Sequence, residues 1–454
     1  MNRLLALSTA AVCAVMASGC AQTAGTAASN STMASDEVAC TALAKRAASP
    51  QMLLSTHHHA AFGLDPRARI DHAFDAHHKT ALAARALIAQ RYGRAPDRAY
   101  FSGCSGGGRQ GMMFSQRYPE LFDGITAGAP AMRVSSGATV AAMWNTRKFN
   151  AVAPTDAAGQ PILSRAFSDA DLQLVARGII ERCDAADGLR DGMVQHTAAC
   201  RFDPATLQCP AGKAADCLSA EQVSALRAMA DGPRDSAGRS LYVGQPWDPG
   251  VAAPGWRQWT LGTSTTAKPD SRYVFLMVDA LVHEFFTPPE PGFDHRKFDF
   301  DFDRDPARMA WFSAVYNTYE DTRLSAFRQR GSKLLLVHGM ADPIFSANEM
   351  LAYYDELARH IGGVDATQGF ARAFVVPGMS HCSGGPATDQ FDSIQAMADW
   401  VEKGQAPDRI LARAAPNNAW FPGRSRPLCP YPAYARYKGT GAAEDHSSFE
   451  CVRP

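Results

Sequence analysis

The chain has 454 residues, 46% of them hydrophobic and 20% charged, which is long enough for one large core plus an inserted unit. Lys plus Arg and Asp plus Glu both number 45, so no broad basic face is expected and nucleic acid is excluded as a partner. No phosphate loop, dinucleotide fingerprint or H-E-x-x-H motif occurs, which removes the nucleotide-dependent and zincin classes.

Met1 to Met16 is a basic start followed by a short apolar run, which predicts a secretory signal over residues 1–20 rather than a membrane span. It ends in Ala17-Ser-Gly-Cys20, similar to a bacterial lipobox, so Cys20 is a candidate lipid anchor. Residues 21–39, rich in Ala, Ser and Thr, read as a flexible tether. The expected location is outside the cytoplasm: periplasmic, secreted or anchored to the bacterial envelope. His57-His58-His59 lacks nearby spaced ligands and reads as a solvent-facing loop rather than a metal site. A helical region follows over 65–92, and residues 40–130 as a whole are expected to form the N-terminal part of the catalytic core.

Arg98-Ala-Tyr-Phe-Ser predicts a strand and Arg109 to Tyr118 a helix. Between them lies Gly103-Cys104-Ser105-Gly106-Gly107, a G-x-S-x-G elbow in the strand–turn–helix context that the motif requires. Residues 131–324 then separate this element from the next clear strand, far more chain than one crossover needs. Inside the insertion, Cys183-Asp-Ala-Ala-Asp-Gly-Leu-Arg-Asp-Gly-Met193 spaces the carboxylates of Asp184, Asp187 and Asp191 among glycines. Hard oxygen ligands on a turning loop suit Ca²⁺, although the spacing is not that of an EF-hand, and a solvated acidic turn is the alternative. Trp256, Trp259, Tyr273, Phe275, Phe285 and Phe286 are aromatics that either line a pocket for a ring-bearing ligand or fill the core. The alternation from Phe298 to Asp303 predicts a half-buried strand or edge.

Lys333-Leu-Leu-Leu-Val-His-Gly339 is a continuous apolar run of the kind found in a parallel strand buried on both faces, and places Asp342 in the loop at its C-terminal end. A second such run, Phe374 to Ser380, precedes His381. The order Ser105, Asp342, His381 is that of α/β-hydrolases. Cys104 and Cys382 flank two residues that must meet, so a disulfide between them would staple the site together. The alternative of a catalytic Cys104 thiol is set against Ser105 holding the elbow position. Near the end, the helix through Trp400 is expected to stop at Gly404 and Pro407.

The runs Gly103-Cys-Ser-Gly-Gly-Gly-Arg-Gln-Gly, Arg117-Tyr-Pro-Glu-Leu-Phe-Asp-Gly-Ile, His338-Gly-Met-Ala-Asp342 and Val376-Pro-Gly-Met-Ser-His-Cys-Ser-Gly-Gly-Pro together resemble the tannase and feruloyl esterase family, which includes MHETase-like esterases. The resemblance implies an α/β-hydrolase core completed by residues 325–454, with 131–324 as a lid domain. It implies the catalytic set Cys104, Ser105, Asp342, His381 and Cys382, with the Gly106 N–H as oxyanion donor. It also implies a structural Ca²⁺ held by the side chains of Asp184, Asp187 and Asp191 and the carbonyls of Leu189 and Met193. Chain proximity and the same resemblance suggest the bridges Cys183–Cys200, Cys209–Cys217 and Cys429–Cys451, leaving Cys40 over. Export makes such bridges meaningful.

One departure is expected. Only about 65 residues separate Cys40 from Ser105, too few for the usual strands before an elbow together with the 65–92 helical region. The family's Gly-rich oxyanion loop and a partner for Cys40 are both missing from that stretch. The implied activity is a serine carboxylic-ester hydrolase acting on small aromatic esters of feruloyl or galloyl type. The competing expectation is an exported binding or scaffold protein of the same descent with impaired turnover. Neither the substrate pocket nor the oligomeric state is legible.

Overall fold

The computed structural model describes residues 63–290, 292 and 300–454. The signal, the tether, Cys20, Cys40 and His57–His59 lie outside the described residues. Of the described residues, those from 63–74 and from 98 onward form one compact unit. Residues 75–97 belong to another, whose helix Ala76–Tyr92 ends on Gly93 at φ 71°, the left-handed stop that glycine accepts without strain.

The larger unit is built on a parallel sheet of β1 (Tyr100–Cys104), β2 (Gly124–Gly128), β3 (Lys333–Gly339) and β4 (Ala371–Val376), side by side in chain order. Leu334 to Gly339 are all buried, as expected where helices cover both faces. Helix α1 (Gly106–Arg117) follows β1 directly and packs against β1 and β2. Its Gly108 permits the approach, because a Cβ there would lie 2.2 Å from the Gly128 carbonyl oxygen. Among the described residues no strand precedes β1, which is therefore an edge of the sheet.

Residues 129–332 join β2 to β3 and are mostly helical, with a core of their own that includes Phe149, Phe167, Leu172, Ile179, Leu226 and Trp256. Helix α2 (Asp169–Cys183) starts with a full capping box between Ser168 and Asp171. After β3, Ser346 caps helix α3 (Ala347–Ile361), which buries Met350, Tyr353, Tyr354 and Leu357. Tyr354 donates to the Ala371 carbonyl of β4 at 3.0 Å.

Helix α4 (Ser393–Lys403) carries Trp400 and stops at Gly404 with φ 69°, as expected. On either side of this helix the chain forms elements that the sequence alone did not mark. Strands β5 (Gln390–Phe391), β6 (Ile410–Arg413) and β7 (Ser425–Leu428) make a small antiparallel sheet, and β8 (Tyr434–Tyr437) pairs with β9 (Phe449–Val452). The expected strand through Phe298–Asp303 is not found in its described part. Phe300 and Phe302 are buried, but Asp301 accepts from the Asp303 and Arg304 amides and bends the chain into a turn. All four proposed bridges are present: Cys104–Cys382, Cys183–Cys200, Cys209–Cys217 and Cys429–Cys451.

Candidate active site

Ser105 sits between β1 and α1 at φ 64°, ψ −123°, a conformation that an L side chain adopts only under strain. The turn is held from both sides. The Ser105 N–H donates to the Gly128 carbonyl at 2.9 Å, and the Ser105 carbonyl accepts from Arg109 N–H at 2.9 Å. Gly106 opens α1, so its N–H has no acceptor within the helix and is available to an oxyanion.

The loop after β3 presents Asp342, fully buried. Its Oδ1 accepts from the Ile344 and Phe345 amides at 2.9 and 3.1 Å. Its Oδ2 lies 2.8 Å from His381 Nδ1, in the loop after β4. Burial alone would raise the Asp342 carboxyl, but His381 and His338 outweigh it and hold the group well below the usual carboxylate range. An ionised Asp342 fixes the proton on Nδ1 of His381 and leaves Nε2 as the basic nitrogen. Among the described residues the Ser105 hydroxyl makes no hydrogen bond to His381. Catalytic contacts of this kind are commonly long without substrate and tighten when it binds. The Cys104–Cys382 bridge, with Cα atoms 6.0 Å apart, ties the end of β1 to the His381 loop and leaves no free thiol at Cys104. Cys382 also has positive φ, 66°.

His381 lines an open cleft of about 620 Å³ with Trp259, Arg272, Ser380, Asn417, Asn418 and Trp420. Trp259 meets the His381 ring edge-on at 5.4 Å, and the Arg272 guanidinium lies 5.4 Å from the centre of the Trp259 ring. Of the aromatics singled out from sequence, Trp259 therefore reaches the cleft. Trp256, Phe285 and Phe286 are core, the latter two packed on Phe312 and Phe300, while Tyr273 is buried beside Trp259 and Phe275 is exposed. Arg272, Asn417, Asn418 and Trp420 were not found from sequence, since nothing local marks them.

Asp248 is a further residue that nothing in the sequence marked. It is buried at the foot of the insertion, accepting from Gly250 N–H at 2.8 Å and from Gly378 N–H at 2.9 Å, three residues before His381. Burial without a counter-charge pushes its carboxyl up to about 6.

Asp184, Asp187 and Asp191 are brought onto one loop as expected, with Gly188 and Gly192 at positive φ. Gly192 N–H donates to Asp184, the Leu189 and Gln195 amides to Asp187, and Met193 N–H to Asp191. Burial, reinforced by the neighbouring carboxylates, pushes Asp187 up to about 7 and raises Asp184. Asp184 Oδ1 is buried with no hydrogen-bond partner, which is how a site prepared for a cation would look. Asp191 faces the other way in part, paired with the buried Arg426 of β7. Among the described residues no three His, Cys, Asp or Glu side chains converge as a ready-made metal centre.

A profile described as Tannase and feruloyl esterase matches residues 13–452. A mono(2-hydroxyethyl) terephthalate hydrolase of Piscinibacter sakaiensis is 43% identical over 427 residues, covering 87% of this chain and 70% of the relative. A probable feruloyl esterase B-2 of Neosartorya fischeri is 28% identical over 401 residues, covering 84% and 71%. The crystal structure of feruloyl esterase B from Aspergillus oryzae superimposes with a TM-score of 0.71 at 26% identity, over 86% of this chain and 76% of that one. No helix among the described residues is long and apolar enough to cross a membrane.

Proposed function

Since the chain belongs to the tannase and feruloyl esterase family and is a carboxylic ester hydrolase, we propose that it cleaves esters of phenolic acids, of feruloyl or galloyl type, through an acyl-enzyme on Ser105. The observation that carries this reading is the 2.8 Å contact between His381 Nδ1 and buried Asp342, which sets Nε2 as the base. His381 takes the Ser105 proton as the oxygen attacks the ester carbonyl, and Gly106 N–H donates to the developing oxyanion. The imidazolium, steadied by Asp342, then protonates the departing alcohol, and a water molecule activated by the same nitrogen releases the acid.

The insertion, residues 131–324, acts in this reading as a lid, because Trp259 and Arg272 come from it and face the cleft beside His381. Trp259 and Trp420 offer faces to an aromatic acyl group. Arg272 would favour one that also bears a carboxylate, as a terephthalate half-ester does. Ca²⁺ would be held by Asp184, Asp187, Asp191 and the carbonyls of Leu189 and Met193, and supply charge neutralisation that holds the loop folded. Export as a periplasmic, secreted or lipid-anchored protein remains part of the proposal.

A second reading is favoured by one observation: among the described residues β1 is the outermost strand of the sheet. In that reading a segment between Cys40 and Asp65 is missing, and the protein is an impaired homologue that binds rather than turns over. Loss of one donor costs about 100- to 1000-fold in rate. Burst kinetics on methyl ferulate, methyl gallate and p-nitrophenyl acetate separate the two. A Ser105-dependent burst followed by steady turnover supports the esterase, while binding of the aromatic esters with no burst supports the impaired homologue.

A further inference from the structure

His338 is the penultimate residue of β3, 1% exposed, and does not line the cleft. Its Nε2 lies 3.0 Å from the Phe345 carbonyl and 3.4 Å from Asp342 Oδ2. Both neighbours are acceptors, so this nitrogen carries the proton, donating to the Phe345 carbonyl and facing Asp342 Oδ2; the tautomer follows from the partners. Nδ1 is buried and has no hydrogen-bond partner. Burying a bare ring nitrogen costs free energy, and an apolar residue of similar size would avoid that cost. The only return visible for it is the pair of contacts made by Nε2.

Those contacts close a circuit around the catalytic acid. Phe345 N–H donates to Asp342 Oδ1, while its carbonyl accepts from His338. His338 also reaches Oδ2, the oxygen that serves His381. We propose that His338 is a positioning residue of the active site: its Nε2–H clamps the 342–345 loop and shares Asp342 Oδ2 with His381. It rests on the reading of Ser105, Asp342 and His381 as the catalytic set.

A donor on Oδ2 does two things. It keeps the carboxylate in the plane that His381 needs, and it draws off part of the charge that would otherwise fall on the His381 Nδ1–H. The other groups facing His338 are few. Glu349 of α3 is buried but committed to Arg133 Nε at 2.7 Å and the Tyr242 hydroxyl at 2.8 Å. The β4 register partner, Val375, carries no charge. Removing the donor therefore acts mainly through Asp342.

The test uses full-length protein and three variants. Glutamine places its amide nitrogen near the position of Nε2, asparagine falls short of it, and H338M fills the space with no donor. In H338N and H338M, kcat falls about tenfold with KM little changed, because the base is misplaced rather than the substrate. The acid limb of kcat/KM moves to higher pH, since an unshared carboxylate stabilises the imidazolium more. The low-field proton resonance of His381 Nδ1–H, assigned by its loss in H381Q, moves further downfield. H338Q restores most of each change. Equal losses in H338Q and H338N, with the acid limb and the resonance unmoved, would show a packing role only and overturn the proposal, as would wild-type behaviour in H338N. If H338M fails to fold, H338Q against H338N decides. The resonance needs no turnover. Loss of the esterase reading, seen as wild-type turnover equal to that of S105A, is therefore distinguishable from loss of this one.

Discussion

Cys104 and Cys382 are joined with their Cα atoms 6.0 Å apart, and each adjoins a member of the proposed catalytic pair, Ser105 or His381. The bridge spans 278 residues of chain, so it constrains two loops that nothing local connects. Replacing both cysteines by alanine should lower kcat by up to about 100-fold, the cost of a displacement near 1 Å at the reacting atoms. Stopped-flow burst amplitudes on p-nitrophenyl acetate, with circular dichroism to confirm folding, check this. An undiminished burst would show that the loops hold their places without the bridge.

Ser105→Ala should abolish ester turnover while the fold persists, because the hydroxyl is the proposed nucleophile and the elbow is set by backbone contacts. The strained φ of 64° adds a second expectation: S105G relieves the strain and should be more stable than S105A by about 1 kcal/mol or more. Urea melts of the two variants give the comparison. Equal midpoints would mean that the elbow is not strained.

Chelation should lower the melting temperature, because a cation bound only by the folded state stabilises it by mass action. Added Ca²⁺ should restore it in the wild type and fail to do so in D187N. Metal analysis of dialysed protein that finds no calcium, with melting indifferent to Ca²⁺, would leave the loop as an acidic turn.

Asp248 predicts a pH effect with a definite sign. Its carboxyl is raised from about 4 in the unfolded chain to about 6 in the folded one, so the folded state binds the proton more tightly. The stability it contributes is full below pH about 4 and is lost as pH rises to about 6. The melting temperature of wild type minus that of D248N should therefore fall across that window and level off above it. A difference that grows with pH would mean that the two amide donors outweigh burial.

Arg272→Ala should raise KM for aromatic esters bearing a free carboxylate more than for methyl ferulate, since the guanidinium lies at the cleft beside Trp259. Equal changes for both substrates would assign Arg272 to packing on Trp259.

Much of the site was legible because its signals are local. The elbow is a strand, a turn of small residues and a helix within about 20 residues, and β3 is a continuous apolar run ending in the loop that carries Asp342. Cysteines beside Ser105 and His381 marked their own pairing. Local pattern also misled: the Phe–Asp alternation before Asp303 has strand periodicity, but short Asp side chains capture their own backbone amides and turn the chain instead. The tertiary structure alone decided which partners lie far apart in sequence. Asp248 meets Gly378 across 130 residues and Asp191 meets Arg426 across 235. Trp259, with no local difference from Trp256, is the one that reaches His381. Periodicity and turn chemistry specify an element and its faces. Which distant group a buried face meets is fixed only when the insertion packs over the ends of β3 and β4, because burial then forces every polar atom there to find a partner.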